Sequence, residues 1–238
     1  MAADVGKNAN QLKCVALAAM LMDHVAALFL GESVGLLYLA MRMVGRVTAP
    51  IMCFFVAQGY FHTHHFKKYA ARLLVAALLS HVPYALCFGH SLWQLWSGTD
   101  VLFSLFLGLV ALAVYKEASY PDWGKLLVVC LCCLLSIPAD WNYIAVLWIL
   151  FFGIFQGDRN KQLAAFLCVG GVYIFQGLNW EHVFVDLSIR MGILLAIPLL
   201  WCYNGNHGKK SRLIQLGFYG FYPLHLWLLF FIKIWCVE

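Results

Sequence analysis

Nine apolar runs, separated by short polar breaks, leave this chain little choice of fold. A membrane helix needs about 17–25 apolar residues. The runs lie near 12–30, 36–61, 69–89, 98–116, 124–139, 141–157, 161–178, 184–204 and 213–235. The separators are Gly31-Glu32-Ser33, His62 to Lys68, Lys116 to Lys125, Pro138 to Asn142, Gly157 to Lys161 and Asn204 to Arg212. The 238 residues are 63% hydrophobic and only 11% charged, with a mean hydropathy of +0.81. A soluble domain of this size has no use for so much apolar surface, so the solvent is a bilayer. No polar segment is long enough for a second, soluble domain. The expected fold is an all-α polytopic membrane helix bundle of about nine spans, one domain over residues 1–238.

The first run carries Asp23 and His24 in its middle and lacks a small-residue cleavage site, so it reads as a retained helix rather than a secretion signal. Basic residues set the orientation. Lys7, Lys13, Lys67, Lys68, Arg72, Lys116, Lys125, Arg159, Lys161, Lys209, Lys210 and Arg212 fall at the N-terminus or in alternate loops. The positive-inside rule therefore puts the N-terminus in the cytoplasm and, with nine spans, the C-terminus outside. Multi-pass insertion in a bacterial-type inner (cytoplasmic) membrane is the expectation. The same rule explains the net charge of +5, so no nucleic-acid surface is read from it. Nine cysteines scattered through apolar runs argue against a disulfide framework. Cys130 and Cys133 make a C-x-x-C spacing inside an apolar segment, which suits small core hydrophobes better than a metal. The His62, His64 and His65 tract lacks an accompanying carboxylate or cysteine, so no metal is expected there.

The stretch from Arg42 to Arg72 is the exception to this apolar pattern. Arg42 and Arg46 stand one helical turn apart where a membrane helix should carry no charge. A charge in hydrocarbon costs at least ~2.5–3.5 kcal/mol, so such arginines face a partner or a watery cavity. The centre of a ~30 Å core lies about ten to twelve residues from either face. His24, Arg46, His81 and His225 each sit about that deep in the first, second, third and ninth spans. Asp186 and Arg190 form an i,i+4 couple in the eighth span that reads as structural.

Lys13 and His24 are eleven residues apart, about three helical turns, and so share one face about 16 Å apart. Lys13 then sits at the cytoplasmic mouth, in the company of Lys67, Lys68 and Arg72, with His24 deep and Asp23 beside it. A basic funnel leading to a buried base suits a phosphorylated, long-armed acyl donor such as acetyl-CoA. A neutral imidazole takes the proton of an incoming amine or hydroxyl as it attacks the thioester. Arg46 is open to two roles, stabilising an oxyanion or carboxylate, or pairing with Asp23. His225, in YPLH, either lines the acceptor side or closes a polar layer.

Five segments together resemble the TraX family of membrane proteins, whose founding activity is N-terminal acetylation of conjugative pilin. They are LKCVALAAMLMDH, RMVGRVTAPIMCFFVAQGY, KKYAARLL with SHVPYAL, VLFSLFLGL and FYGFYPLHL. The family is similar in turn to the integral-membrane acyltransferases. Their basic residue and histidine, with ten residues between them in the first helix, correspond to Lys13 and His24, and their basic residues after a Gly-aromatic helix end to Lys68 and Arg72. Lys13 stands where the larger group usually has Arg, and Asp100 where the TraX pattern usually has Asn. The resemblance implies an acetyl-CoA-dependent acyltransferase with His24 at the chemistry and Lys13, Lys68 and Arg72 on the donor; beside them Asp23, Arg46 and His225 are read as catalytic and Tyr60 as a donor contact. The acceptor stays open among a pilin N-terminus, another peptide, a glycan and a lipid-linked molecule. The competing reading is a proton- or anion-coupled transporter using the midplane His, Asp and Arg set. It calls for internal repeats, and the two halves show no convincing self-similarity.

Overall fold

A computed structural model describes residues 6–30, 35–91, 98–117, 119–209 and 211–237. The Gly31-Glu32-Ser33 separator and Lys210 lie outside the described residues. The described residues are all-α, with no strand. The helices are α1 (Ala9–Val25), α2 (Leu36–Gly45), α3 (Thr48–His62), α4 (Phe66–Phe88), α5 (Val101–Lys116) and α6 (Asp122–Leu135), followed by α7 (Asn142–Ile154), α8 (Arg159–Phe175), α9 (Val183–Met191), α10 (Ala196–Trp201) and α11 (Arg212–Val237). A π-helical turn, Ala26–Leu30, extends α1, and 3-10 turns at Trp180–His182 and Gly192–Leu195 flank α9.

Among the described residues, five stretches are long and apolar enough to cross a membrane: Ala9–Leu30, Leu36–His62, Phe66–Phe88, Trp180–Trp201 and Arg212–Cys236. Large apolar side chains such as Leu36, Leu78, Leu126, Phe184 and Leu224 are exposed along them and along α6, as lipid-facing residues should be. All nine cysteines are free. Cys130 is exposed and Cys133 half-buried, so neither member of the C-x-x-C pair is the buried core residue expected, although Cys132 between them is buried.

The chain divides into two compact units, each built from distant pieces: Met1–Met52 with Gly170–Phe218, and Cys53–Val169 with Tyr219–Glu238. In the first, α1 packs on α2, and α2 on α9 and the Gly192–Leu195 turn. The start of α1 is held firmly. The Asn8 side chain accepts from the Gln11 amide, and the Gln11 side chain accepts from the Asn8 amide, a reciprocal cap worth about 0.5–2 kcal/mol. Lys7 adds backbone bonds in both directions, its N–H to Cys202 and its carbonyl from Asn204.

In the second unit α5 packs against α4, α6 and α7. Small residues permit the closest approach. A Cβ on Gly108 would meet Ile149 Cδ1 at 2.6 Å, and Leu112 leaves no room for one on Gly153. Trp148, 1% exposed, fills the space between Trp141 and Phe166 and donates its indole N–H to the Phe166 carbonyl at 3.3 Å. The buried Gln58 and the exposed Gln156 satisfy each other's amides at 2.9 and 3.1 Å.

Candidate functional site

The second apolar run is not one straight helix. Pro50 has no N–H to give the carbonyl of residue 46, so the α-helical ladder cannot pass through Arg46 and Val47. The chain tightens there: the amides of Arg46 and Val47 bond three residues back, to Met43 and Val44. α2 ends at Gly45 and α3 starts at Thr48, whose hydroxyl donates to the Ala16 carbonyl at 2.9 Å. The break brings Arg42 and Arg46 onto α1.

Both arginines close on Asp23. Arg42 Nη1 lies 2.9 Å from Oδ1, and Arg46 Nη2 lies 2.6 Å from Oδ2. Arg42 also reaches the Asp23 carbonyl at 3.4 Å, and Arg46 Nη1 is 3.5 Å from the Tyr173 hydroxyl. The three side chains are only 11–21% exposed. Two guanidinium groups on one carboxylate leave a net charge of +1 in the interior of two membrane helices. Arg42 Nε adds a buried N–H without a hydrogen-bond partner. Pairing with Asp23, one of the two roles open to Arg46, is present and extends to Arg42.

Gly45 makes this possible, and the sequence reading passed over it. A Cβ there would lie 2.6 Å from Asp23 Cγ, so only glycine lets the α2 backbone come down on the carboxylate. Its signal in the sequence was the spacing Arg42-x-x-Gly45-Arg46, a small residue between two charges of one helix face.

His24 follows Asp23 on α1 and is 7% exposed. α1 is unbroken from Lys13 to His24, so the three-turn spacing of about 16 Å stands. Just beyond His24 the helix widens into the π turn Ala26–Leu30, a form met mostly as single turns within α-helices and frequently at functional sites. Lys13 is half-buried, with its ammonium 5.5 Å above the Phe218 ring.

The remaining expected residues lie in the second unit. Tyr60, at the end of α3, packs edge-on against Phe61 and Phe66. Lys67, Lys68 and Arg72 are exposed on the first turns of α4, and the Arg72 guanidinium stands 5.8 Å from the Tyr219 ring. Gly59 admits Tyr69 between α3 and α4, since a Cβ would come within 2.7 Å of its hydroxyl. His225 is buried, stacked on Phe221 and edge-on to Tyr222, with Nδ1 2.9 Å from the Phe221 carbonyl. His81 keeps a buried Nε2 without a hydrogen-bond partner.

Asp186 and Arg190 do not pair with each other. Asp186 accepts from the Asn179 amide, and Arg190 donates to the carbonyls of Tyr173 and Gly177, so both hold the turn between α8 and α9. The structural role expected of them holds by another route.

Known proteins place the chain as a whole. A probable fimbrial assembly protein FimC, serogroup H1, of Dichelobacter nodosus is 32% identical over 243 residues, which cover 96% of this chain and 97% of the relative. No solved structure matches the chain. The family profile described as TraX protein matches residues 8–233, which take in the Asp23, Arg42 and Arg46 cluster, His24 and His225 alike, and the chain belongs to the TraX family.

Proposed function

We propose that this protein is an acetyltransferase of the cytoplasmic (inner) membrane, which moves acetyl from cytoplasmic acetyl-CoA to an amine or hydroxyl of a membrane-associated or exported acceptor. The observation that carries the reading is the buried His24 next to a carboxylate already clasped by two arginines. An imidazole at this depth can act as base, and the two guanidinium groups beside it suit an oxyanion.

The chemistry balances with these groups alone. The acceptor nitrogen or oxygen attacks the thioester carbonyl while His24 takes its proton. A new C–N or C–O bond forms, and the carbonyl oxygen gains charge that the Arg42 and Arg46 pair offsets. The C–S bond then breaks, and the coenzyme A thiolate leaves and recovers the proton from His24. Asp23 holds the two guanidinium groups in place. Lys68 and Arg72, exposed at the start of α4, have the charge and accessibility to meet the donor's phosphates, with Lys13 and Tyr60 as further donor contacts. His225 is assigned to the acceptor side.

Membership of the TraX family supports acetyl transfer, and the fimbrial assembly protein among its relatives makes a pilus subunit the first acceptor to try. The test is transfer of radiolabelled acetyl from acetyl-CoA to a pilin N-terminal peptide by the purified protein. A His24→Gln variant should bind acetyl-CoA as the wild type does and lose transfer by 100-fold or more, the scale of general-base catalysis at about 10²–10⁴. Transfer at the wild-type rate would remove His24 from the chemistry. A wild-type protein that fails to bind acetyl-CoA would end the reading itself.

A further inference from the structure

The start of α5 holds polar atoms that its own cap does not use. Asp100 caps the helix through one oxygen, Oδ1, which accepts from the Phe103 amide at 3.1 Å. The residue is 1% exposed, and its other oxygen, Oδ2, is buried without a hydrogen-bond partner. Thr99, 7% exposed, leaves its hydroxyl in the same condition. Capping needs one acceptor, which serine, threonine or asparagine supplies without a charge. The second carboxylate oxygen is surplus to the fold, and burying it without a partner is costly.

The surroundings are fixed and polar. Thr99 pairs with the loop between α6 and α7: its N–H donates to Pro138 and its carbonyl accepts from Asp140, at 2.9 and 3.0 Å. Ser136, Ala139 and Trp141 of that loop are buried. Asp140 is exposed and within electrostatic reach of Asp100, so a second carboxylate stands at the rim. The buried Tyr222 side chain lies within reach of both aspartates. Tyr222 is near the middle of α11, about 15 Å from its start and about 22 Å from its end. The short helix α5 therefore begins at the level of the middle of a spanning helix. Irregular backbone at that depth is tolerated only inside protein or along a watery cavity.

We infer that Asp100 and Thr99, with Tyr222 beside them and Asp140 at the rim, form a binding site for a primary ammonium group. The free atoms are a carboxylate oxygen and a hydroxyl, and an ammonium brings three N–H donors to such acceptors. A metal would need more ligands, and no group of three His, Cys, Asp or Glu among the described residues fits one. The inference rests on the acetyl-transfer reading only in naming the ligand: the acceptor is then a primary amine, not a hydroxyl. α5 ends at Lys116 on the basic side, so the positive-inside rule puts Asp100 toward the other face, from which an exported amine arrives.

The experiment titrates the full chain in detergent with Phe-Ala-Ala amide, its N-acetylated twin and N-acetyl-lysinamide, and separately with acetyl-CoA. The free-amine peptide should bind the wild type and lose affinity tenfold or more in Asp100→Asn, which keeps the cap and removes the charge. Thr99→Val should weaken binding threefold or more, and the acetylated twin should not bind. Binding of N-acetyl-lysinamide in preference to the free-amine peptide keeps the ammonium site and assigns it to a side-chain amine. Equal affinity in wild type and Asp100→Asn, equal binding of the twins, or no binding of any amine overturns the site. Amine binding without acetyl-CoA binding leaves the site standing and sinks the donor reading; the reverse sinks the site alone.

Discussion

Replacing Asp23 by Asn tests the charge balance of the cluster directly. The amide oxygen can still accept from Arg42, but an NH₂ group now faces Arg46 Nη2, which stood 2.6 Å from Oδ2. A donor meets a donor, and the local charge rises from +1 to +2. Removing one partner of a buried ion pair costs about 3–5 kcal/mol. The three side chains keep 11–21% exposure, so water recovers part of this and the lower end, about 3 kcal/mol, is expected. Adding Arg46→Gln restores the charge to +1 and lets two amides pair. The double variant should therefore be more stable than Asp23→Asn alone, with a coupling energy of about 1–3 kcal/mol across the cycle. Equilibrium unfolding in mixed detergent micelles, run on all four proteins of the cycle, gives that number. Effects that add to within about 0.5 kcal/mol would mean that the two residues do not share a charge balance, and the cluster would have to be read as two exposed ions.

Gly45→Ala puts a methyl 2.6 Å from Asp23 Cγ, so α2 must retreat from α1. It should cost about 1–3 kcal/mol in the same unfolding assay, as overpacking does, and lower acetyl transfer with it; a neutral substitution would show that the clasp does not depend on this approach. Lys68→Gln and Arg72→Gln should each raise the acetyl-CoA dissociation constant and flatten its dependence on salt, because the contacts are to phosphates on an exposed surface. Isothermal titration at two ionic strengths reads both effects, and unchanged affinity in both variants places the donor elsewhere.

The fold was legible because hydropathy alone settles it. The nine runs correspond to helical segments among the described residues, and the all-α class follows from them. The site was legible where a charge stood in an apolar run. Asp23, Arg42 and Arg46 drew notice because insertion into hydrocarbon penalises them, and they meet in the structure. What escaped is what hydropathy does not record. Gly45 is near neutral in hydropathy, and its role lies in the side chain it lacks. The break at Arg46 and Val47 was written in Pro50, four residues on, yet both halves are apolar enough to read as one span. Asp186 and Arg190 have the i,i+4 spacing of an ion pair, but backbone groups freed at the end of α8 compete for both.

A run counted as a span by composition takes in whatever polar residues fall within it, so 98–116 absorbed Thr99 and Asp100, and 124–139 absorbed Ser136. The helices themselves are shorter: α5, α6 and α7 have 16, 14 and 13 residues, about 24, 21 and 20 Å against a core of ~30 Å. Apolar helices this short leave their ends in hydrocarbon unless the protein covers them. Here the ends of α5, α6 and α7 are brought together at Thr99, Asp100, Ser136, Ala139 and Trp141, all buried in protein. Thr99 bonds to that loop through its backbone, and Thr99 and Asp100 each keep one side-chain oxygen unused. Shortening the helices thus opens a polar place inside the bilayer without exposing backbone to lipid. An Asp100→Leu substitution, which extends the apolar run, should raise the hydrophobicity of the span and still destabilise the fold, because it removes the cap from the Phe103 amide. The loss should be about 1 kcal/mol in micelle unfolding. A Leu variant more stable than the wild type would show that the cap on the Phe103 amide is worth less than burying the unpartnered Oδ2 costs.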